Sequence, residues 1–212
     1  MISLIQLVTQ AEQGIFKNIY PSTELKITVS GTRYQNINES LQLTKPEYSI
    51  YPWDKKYDWC SNCGRKFSEK PWIMFNYNRR KFMISGYFVR AGCCYGGCCC
   101  ESNGYCVYCP LYSWALQVSN DMKNWQDVHK IEQDKKMEYC AERTYMLDKK
   151  YEARYVRLIQ TQPVPGDPPC LAINKFELFG HLTADFNNDD DDKIDFPDEE
   201  EDVSIIGHFS KE

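Results

Sequence analysis

Histidine is scarce in this chain, with three among 212 residues: His129, His181 and His208. Their spacing suits neither a metal cage nor a catalytic triad. The G-x-S-x-G elbow, the P-loop and the Gly-rich dinucleotide fingerprint are all missing. No pair of carboxylates is marked out for glycoside hydrolysis. Without these signatures the chain reads as a non-enzyme. Long apolar runs are missing too, since none reaches the roughly 18–20 residues that a membrane helix requires. Residues 1–8 are apolar but carry no basic n-region and no convincing cleavage site. No secretory leader is therefore assigned, and the expected location is intracellular, in the reducing cytoplasm. There is no internal repeat.

Charge is unevenly spread. The formal net charge is −5, yet residues 182–212 carry eight Asp and four Glu against two Lys, a net of −10. The remaining residues are therefore mildly basic at +5. A body charge of that size without a basic cluster argues against nucleic acid as a partner. The tail has too few apolar groups to offset its self-repulsion and is expected to be largely disordered. Its run Asp189 to Asp192 lacks the alternating ligands and Gly of a calcium loop and reads as a solvated charge run.

Hydrophobic residues make up 42% of the chain and aromatics 14%, enough for a core, and Tyr is abundant at 15. The apolar residues alternate. Leu25, Ile27 and Val29 read as a first strand ended by Gly31. Residues 72–77 and 82–90 are apolar on both faces, as central strands are. Trp114, Leu116 and Val118 put their side chains on one face, because the strand period is two. Ser119, Asn120 and Asp121 then supply turn chemistry. Trp125 and Val128 open a return strand, so 113–131 is a hairpin. Val156 with Leu158, and Phe176 with Leu178, make two more strands, the last stopped by Gly180. All these apolar residues are expected in the core. Ahead of them, Ile2, Ile5, Val8 and Ala11 follow helical spacing and predict a short amphipathic helix.

Five linked segments carry a resemblance. They are Trp72-Ile73-Met74-Phe75, Ile84-Ser85-Gly86-Tyr87 through Arg90, Ser119-Asn120-Asp121 with Trp125, Arg154-Tyr155-Val156-Arg157-Leu158, and Phe176-Glu177-Leu178-Phe179-Gly180. In this order they resemble the discoidin family, the coagulation factor V/VIII C-terminal type domain with a galactose-binding-like fold. The resemblance implies an all-β jelly-roll sandwich of about eight antiparallel strands, with ligands held by loops at one end, and binding rather than catalysis. The expected organisation is a helical lead-in over 1–20, the sandwich over 21–181 with a Cys-rich insertion at 91–112, and the acidic tail over 182–212. Trp59 is expected to close the bottom of the barrel, where the family has a Trp.

The chain has 11 cysteines, nine of them at 60–63 and within 93–109, while Cys140 and Cys170 stand apart. Cys60 with Cys63 and Cys106 with Cys109 form two C-x-x-C pairs. That spacing lets both sulfurs of a pair face one tetrahedral zinc ion. Three readings stand open: a structural zinc site on these four residues, free thiols, and disulfides with at least one thiol left over. A thiol–disulfide oxidoreductase is a weaker reading, because neither pair opens a helix.

The loops expected to recognise a ligand are 53–65, 92–112 and 161–169. Exposed aromatics and Arg anchor binding surfaces, which makes Trp53, Arg65, Tyr95, Tyr105 and Tyr108 the candidate contacts. Because no leader is assigned, the preferred ligand is a protein partner inside the cell. A carbohydrate is the alternative.

Overall fold

The computed structural model describes residues 14–37, 40–50, 55–64, 66, 68–93 and 110–185. The helix expected over residues 2–12 and nearly all of the acidic tail lie outside them. One short helix, α1 (Ile15–Ile19), and a 3₁₀ helix at Pro46–Ser49 accompany eleven strands among the described residues.

Nine strands form two antiparallel sheets. In chain order the strands of the first sheet are β1 (Leu25–Val29), β5 (Trp72–Tyr77), β7 (Ser113–Ser119), β8 (Gln126–Ile131) and β10 (Tyr155–Gln162). Those of the second are β4 (Trp59–Cys60), β6 (Phe82–Ala91), β9 (Glu142–Ala153) and β11 (Ala172–Leu182). The spatial orders are β1-β5-β10-β7-β8 and β4-β11-β6-β9. The other two strands, β2 (Tyr34–Ile37) and β3 (Ser40–Leu43), pair as a separate hairpin. The expected all-β sandwich is what the chain forms, with two flanking strands beyond the eight or so expected.

The alternating residues build the core. Trp114, Leu116, Val156, Leu158, Phe176 and Leu178 are all fully buried, and so is Trp59. Aromatic packing joins the layers: the Phe16 and Phe75 ring centroids lie 4.7 Å apart, and Phe75 stacks on Phe176 at 5.3 Å. Each such side chain contributes about 1.5–3 kcal/mol of burial. Polar partners are held in the same interior. The Trp114 Nε1–H donates to the Tyr87 hydroxyl at 3.0 Å, and that hydroxyl lies 2.8 Å from His129 Nδ1. Burial pushes the Tyr87 phenol well above its ordinary range and lowers the His129 imidazole.

Two expectations are corrected. Trp125 is not in the core. It lies half-buried on the surface with the Arg157 guanidinium 3.8 Å from its ring centroid. Gly180 does not stop the last strand. It sits inside β11 at φ +136°, where a Cβ would come within 1.9 Å of the Met83 carbonyl oxygen. The strands over 72–77 and 82–90 are central as expected, one in each sheet.

Candidate functional site

The sandwich has two unlike ends. At one, α1 and the chain's described termini gather. At the other, the described residues of four connections converge: 58–64, 92–93 with 110–112, 132–141 and 163–171. Main-chain bonds show this directly. Ser61 N–H donates to Leu171 O at 2.8 Å and Gly64 N–H to Pro169 O at 2.9 Å. Gly92 N–H donates to Ala172 O, Cys140 N–H to Gly92 O and Leu111 N–H to Met137 O. The described parts of the three loops singled out from sequence thus lie at one end, together with 132–141.

Covalent bonds tie them. Cys63 is joined to Cys170, and Cys93 to Cys140. All five described cysteines are disulfide-bonded, Cys60 included. Cys60 and Cys63 therefore offer no thiolate to zinc in this state, and among the described residues no group of three or more His, Cys, Asp or Glu could hold a metal. Cys106 and Cys109 lie outside the described residues. Cys63 bonds across the fold instead of to Cys60, so this C-x-x-C is not a redox pair. The disulfides also overturn the cytoplasmic location, because such bonds persist in oxidising compartments and are rare in a reducing cytosol. They point to a secreted or extracellular protein.

Beneath the staples lies a buried polar knot. Asp58 and Asn174 are each 2% exposed. The Asp58 carboxylate accepts the Cys93 N–H at 2.9 Å and an Asn174 Nδ2–H at 2.8 Å. Arg90 reaches the Asn174 side-chain oxygen at 3.3 Å and pairs with Glu142 at 2.7 Å. A carboxylate buried this deeply is costly unless hydrogen-bonded, and here it fixes the insertion's first residues to strand β11. Gln160 adds a further tie, its Nε2–H donating to Cys170 O at 2.7 Å. Its other side-chain atom, Oε1, is buried without a hydrogen-bond partner among the described residues.

The five sequence-derived contacts, Trp53, Arg65, Tyr95, Tyr105 and Tyr108, all lie outside the described residues. Sequence reasoning passed over two others. Tyr34 is 55% exposed at the foot of the β2–β3 hairpin, next to Arg33, whose N–H donates to Cys60 O. Tyr139 is 41% exposed beside the Cys140 staple, at positive φ. The isolated Cys140 was the signal in the sequence that loop 132–141 belongs with the others. Beside edge strand β4, Tyr48 stacks on Tyr57 at 4.9 Å, and burial raises the Tyr48 phenol.

No protein-family model matches the chain, and no curated protein does. Solved structures do. The chain is similar to the C-terminal domain of a chitobiase from Bacteroides fragilis, at 13% identity and TM-score 0.50, over 81% of this chain and 99% of that one. It is also similar to CBM32-3 from a family 31 glycoside hydrolase of Clostridium perfringens, at 11% identity and TM-score 0.50, over 74% of this chain and 91% of that one. The architecture that these two share with the chain is the discoidin-type, galactose-binding-like β-sandwich that its five linked segments resemble.

Proposed function

We propose that the chain is a non-catalytic carbohydrate-binding module that takes its ligand at the stapled loop end. The observation that carries this is the convergence of the described parts of four separate connections, held by the Cys63–Cys170 and Cys93–Cys140 disulfides, at one end of the sandwich. A sugar site needs hydrogen-bonding groups and an aromatic face held still, and preorganisation of that kind lowers the entropic cost of binding. Tyr34 and Tyr139 flank this end as exposed rings on which a pyranose face can stack. Trp53, Arg65, Tyr95, Tyr105 and Tyr108 belong to the same loops and are proposed as further contacts. The fold supports the reading, because one of its structural neighbours is a carbohydrate-binding module by name.

The protein-partner reading rested on a reducing cell interior, and the disulfides remove that premise. A glycan array probed with the oxidised chain tests the proposal. The expected result is selective signal on a subset of glycans, reduced about tenfold by Tyr139→Ala, as for loss of one aromatic anchor. A flat array would overturn it.

A further inference from the structure

Strands β8 and β9 are the margins of the two sheets on one side of the sandwich. Each has one ladder partner among the described residues, β7 for β8 and β6 for β9. The β9 margin is interrupted. Ile84 pairs with Tyr151 and Gly86 with Met146, so 147–150 bulges out opposite Ser85. Such a bulge ends pairing along that edge. The β8 margin stays open, because its outer main-chain groups make no bond to another described residue. Between the two strands lies a groove of about 550 Å³, lined by Val128, His129, Met146 and Leu147 with Asp127, Lys130 and Asp148 at its rim. Met146, at 62%, is the most exposed large hydrophobic residue among those described, and Val128 and Leu147 are half-buried beside it. An accessible apolar lining next to unpaired main chain suits an extended segment that adds to a sheet edge.

The chain itself holds such a segment beyond the described residues. Val203-Ser204-Ile205-Ile206-Gly207-His208-Phe209 is an apolar patch within the acidic tail. Val203, Ile205 and Phe209 alternate with Ser204 and His208, and Val and Ile favour strands. Its reach is sufficient. Leu182 pairs with Phe82 and Phe82 with Ala153, so β11 ends two strand spacings, about 10 Å, from β9. The groove begins roughly 13 Å further along, near the Gly86–Met146 pair. Residues 186–202 span about 23 Å as a flexible chain and up to about 55 Å when extended. Charge marks the same path. Residues 186–202 carry ten acids and one Lys. The surface between the end of β11 and the groove carries Arg79, Arg80 and Lys81 in the β5–β6 turn, and Lys149 and Lys150 in the bulge, against Asp148 and Glu152. The described start of the tail lies on that turn: Thr183 N–H donates to Lys81 O at 2.9 Å, and Asp185 pairs with Arg80.

We propose that residues 203–209 dock in the β8–β9 groove of their own chain, running along the open edge of β8 and covering Met146. A tethered segment is held at an effective concentration in the millimolar range, which a second copy or a separate peptide does not reach in dilute solution. The acidic linker is drawn along the basic turn and bulge, and the apolar patch that follows it is placed at the groove. Docking closes a sheet edge that otherwise offers pairing to other chains.

Amide hydrogen exchange of the oxidised full chain, at low and at high protein concentration, tests this. The amides of 204–209, and those of β8 that point away from β7, are expected to exchange about tenfold more slowly in the wild type than in the double variant Ile205→Asp with Ile206→Asp. That variant leaves the sandwich sequence intact, and the amides of Leu116 and Leu158 are expected to keep their protection as the control for folding. Met146→Glu, at an exposed position of the groove, is expected to release 204–209 in the same way. Unprotected exchange at 204–209 in the wild type, or β8 exchange that is the same with and without the two Asp substitutions, would overturn the docking. So would protection that appears only at high concentration, which makes a second copy the occupant.

Discussion

The two ends of the sandwich are closed by different chemistry. At the helix end, single side chains reach across the fold. Glu177 of β11 accepts the Phe16 N–H at 2.7 Å and the Lys17 N–H at 3.0 Å, satisfying the first amides of α1 from 160 residues away. The Asp121 carboxylate accepts the Lys123 and Asn124 N–H groups and holds the β7–β8 turn. Asn120 accepts the Arg154 N–H between β9 and β10. These are single side-chain hydrogen bonds, local at Asp121 and long-range at Glu177 and Asn120. At the loop end, long connections are held by disulfides and one buried carboxylate. Non-covalent ties suffice where turns are short. Where loops are long and Gly-rich, their conformational entropy calls for a covalent constraint.

Breaking the staples should have the largest effect. Replacing both Cys63 and Cys170 with Ser is expected to cost about 5 kcal/mol, and the Cys93/Cys140 pair about 4 kcal/mol, from the chain entropy released in the unfolded state. Denaturant unfolding with and without reductant measures this. Equal stability of the oxidised and reduced chains would erase the distinction between the ends.

At the helix end, Gly180→Ala should cost on the order of 3 kcal/mol, because the backbone is at positive φ and the new Cβ meets a main-chain carbonyl. The shift of the thermal midpoint reads it out. Glu177→Ala should cost about 2 kcal/mol by leaving amide donors of α1 unpaired. Its pH dependence has a definite sign. Desolvation raises the Glu177 carboxyl above its ordinary value, although the amide bonds oppose this. A raised folded pKa means that the stabilisation is full below the unfolded value of 4.5 and is lost as pH rises through the higher folded value. Unfolding curves measured upward from pH 4.5 should therefore show this loss in the wild type and not in Glu177→Gln.

The smallest effect is at Asp121, which is fully exposed. Four hydrogen bonds, chiefly those from Asn124 and Lys123, hold its carboxyl well below the ordinary range. Its contribution is present above the unfolded value of 3.8 and disappears as pH falls through the folded one. Asp121→Asn should flatten the acid limb of the stability curve by slightly lowering the neutral plateau, leaving stability at low pH nearly unchanged.

Strand positions were legible in the sequence because the apolar period of two is a local signal. Trp114 with Leu116, Val156 with Leu158 and Phe176 with Leu178 all fall in the core. Long-range facts were not. The pairing of Cys63 with Cys170 spans 107 residues, and two C-x-x-C motifs suggest metal when no distances are known. Glu177 falls between Phe176 and Leu178, and no local pattern shows that it bonds a helix at the other end of the chain. Trp125 looked like core by residue type, whereas its ring is used to stack Arg157. The tie between residues 61–64 and 169–171 depends on long-range contacts that no local pattern encodes.

The central claim is that the stapled end binds carbohydrate because it is held rigid. Calorimetric titration of a glycan selected from the array, into the oxidised chain and into the Cys63→Ser/Cys170→Ser variant at a temperature where both remain folded, tests this most directly. Measurable binding by the oxidised chain and at least about tenfold weaker binding by the variant are expected, from the lost preorganisation. Equal affinity in the two would contradict it.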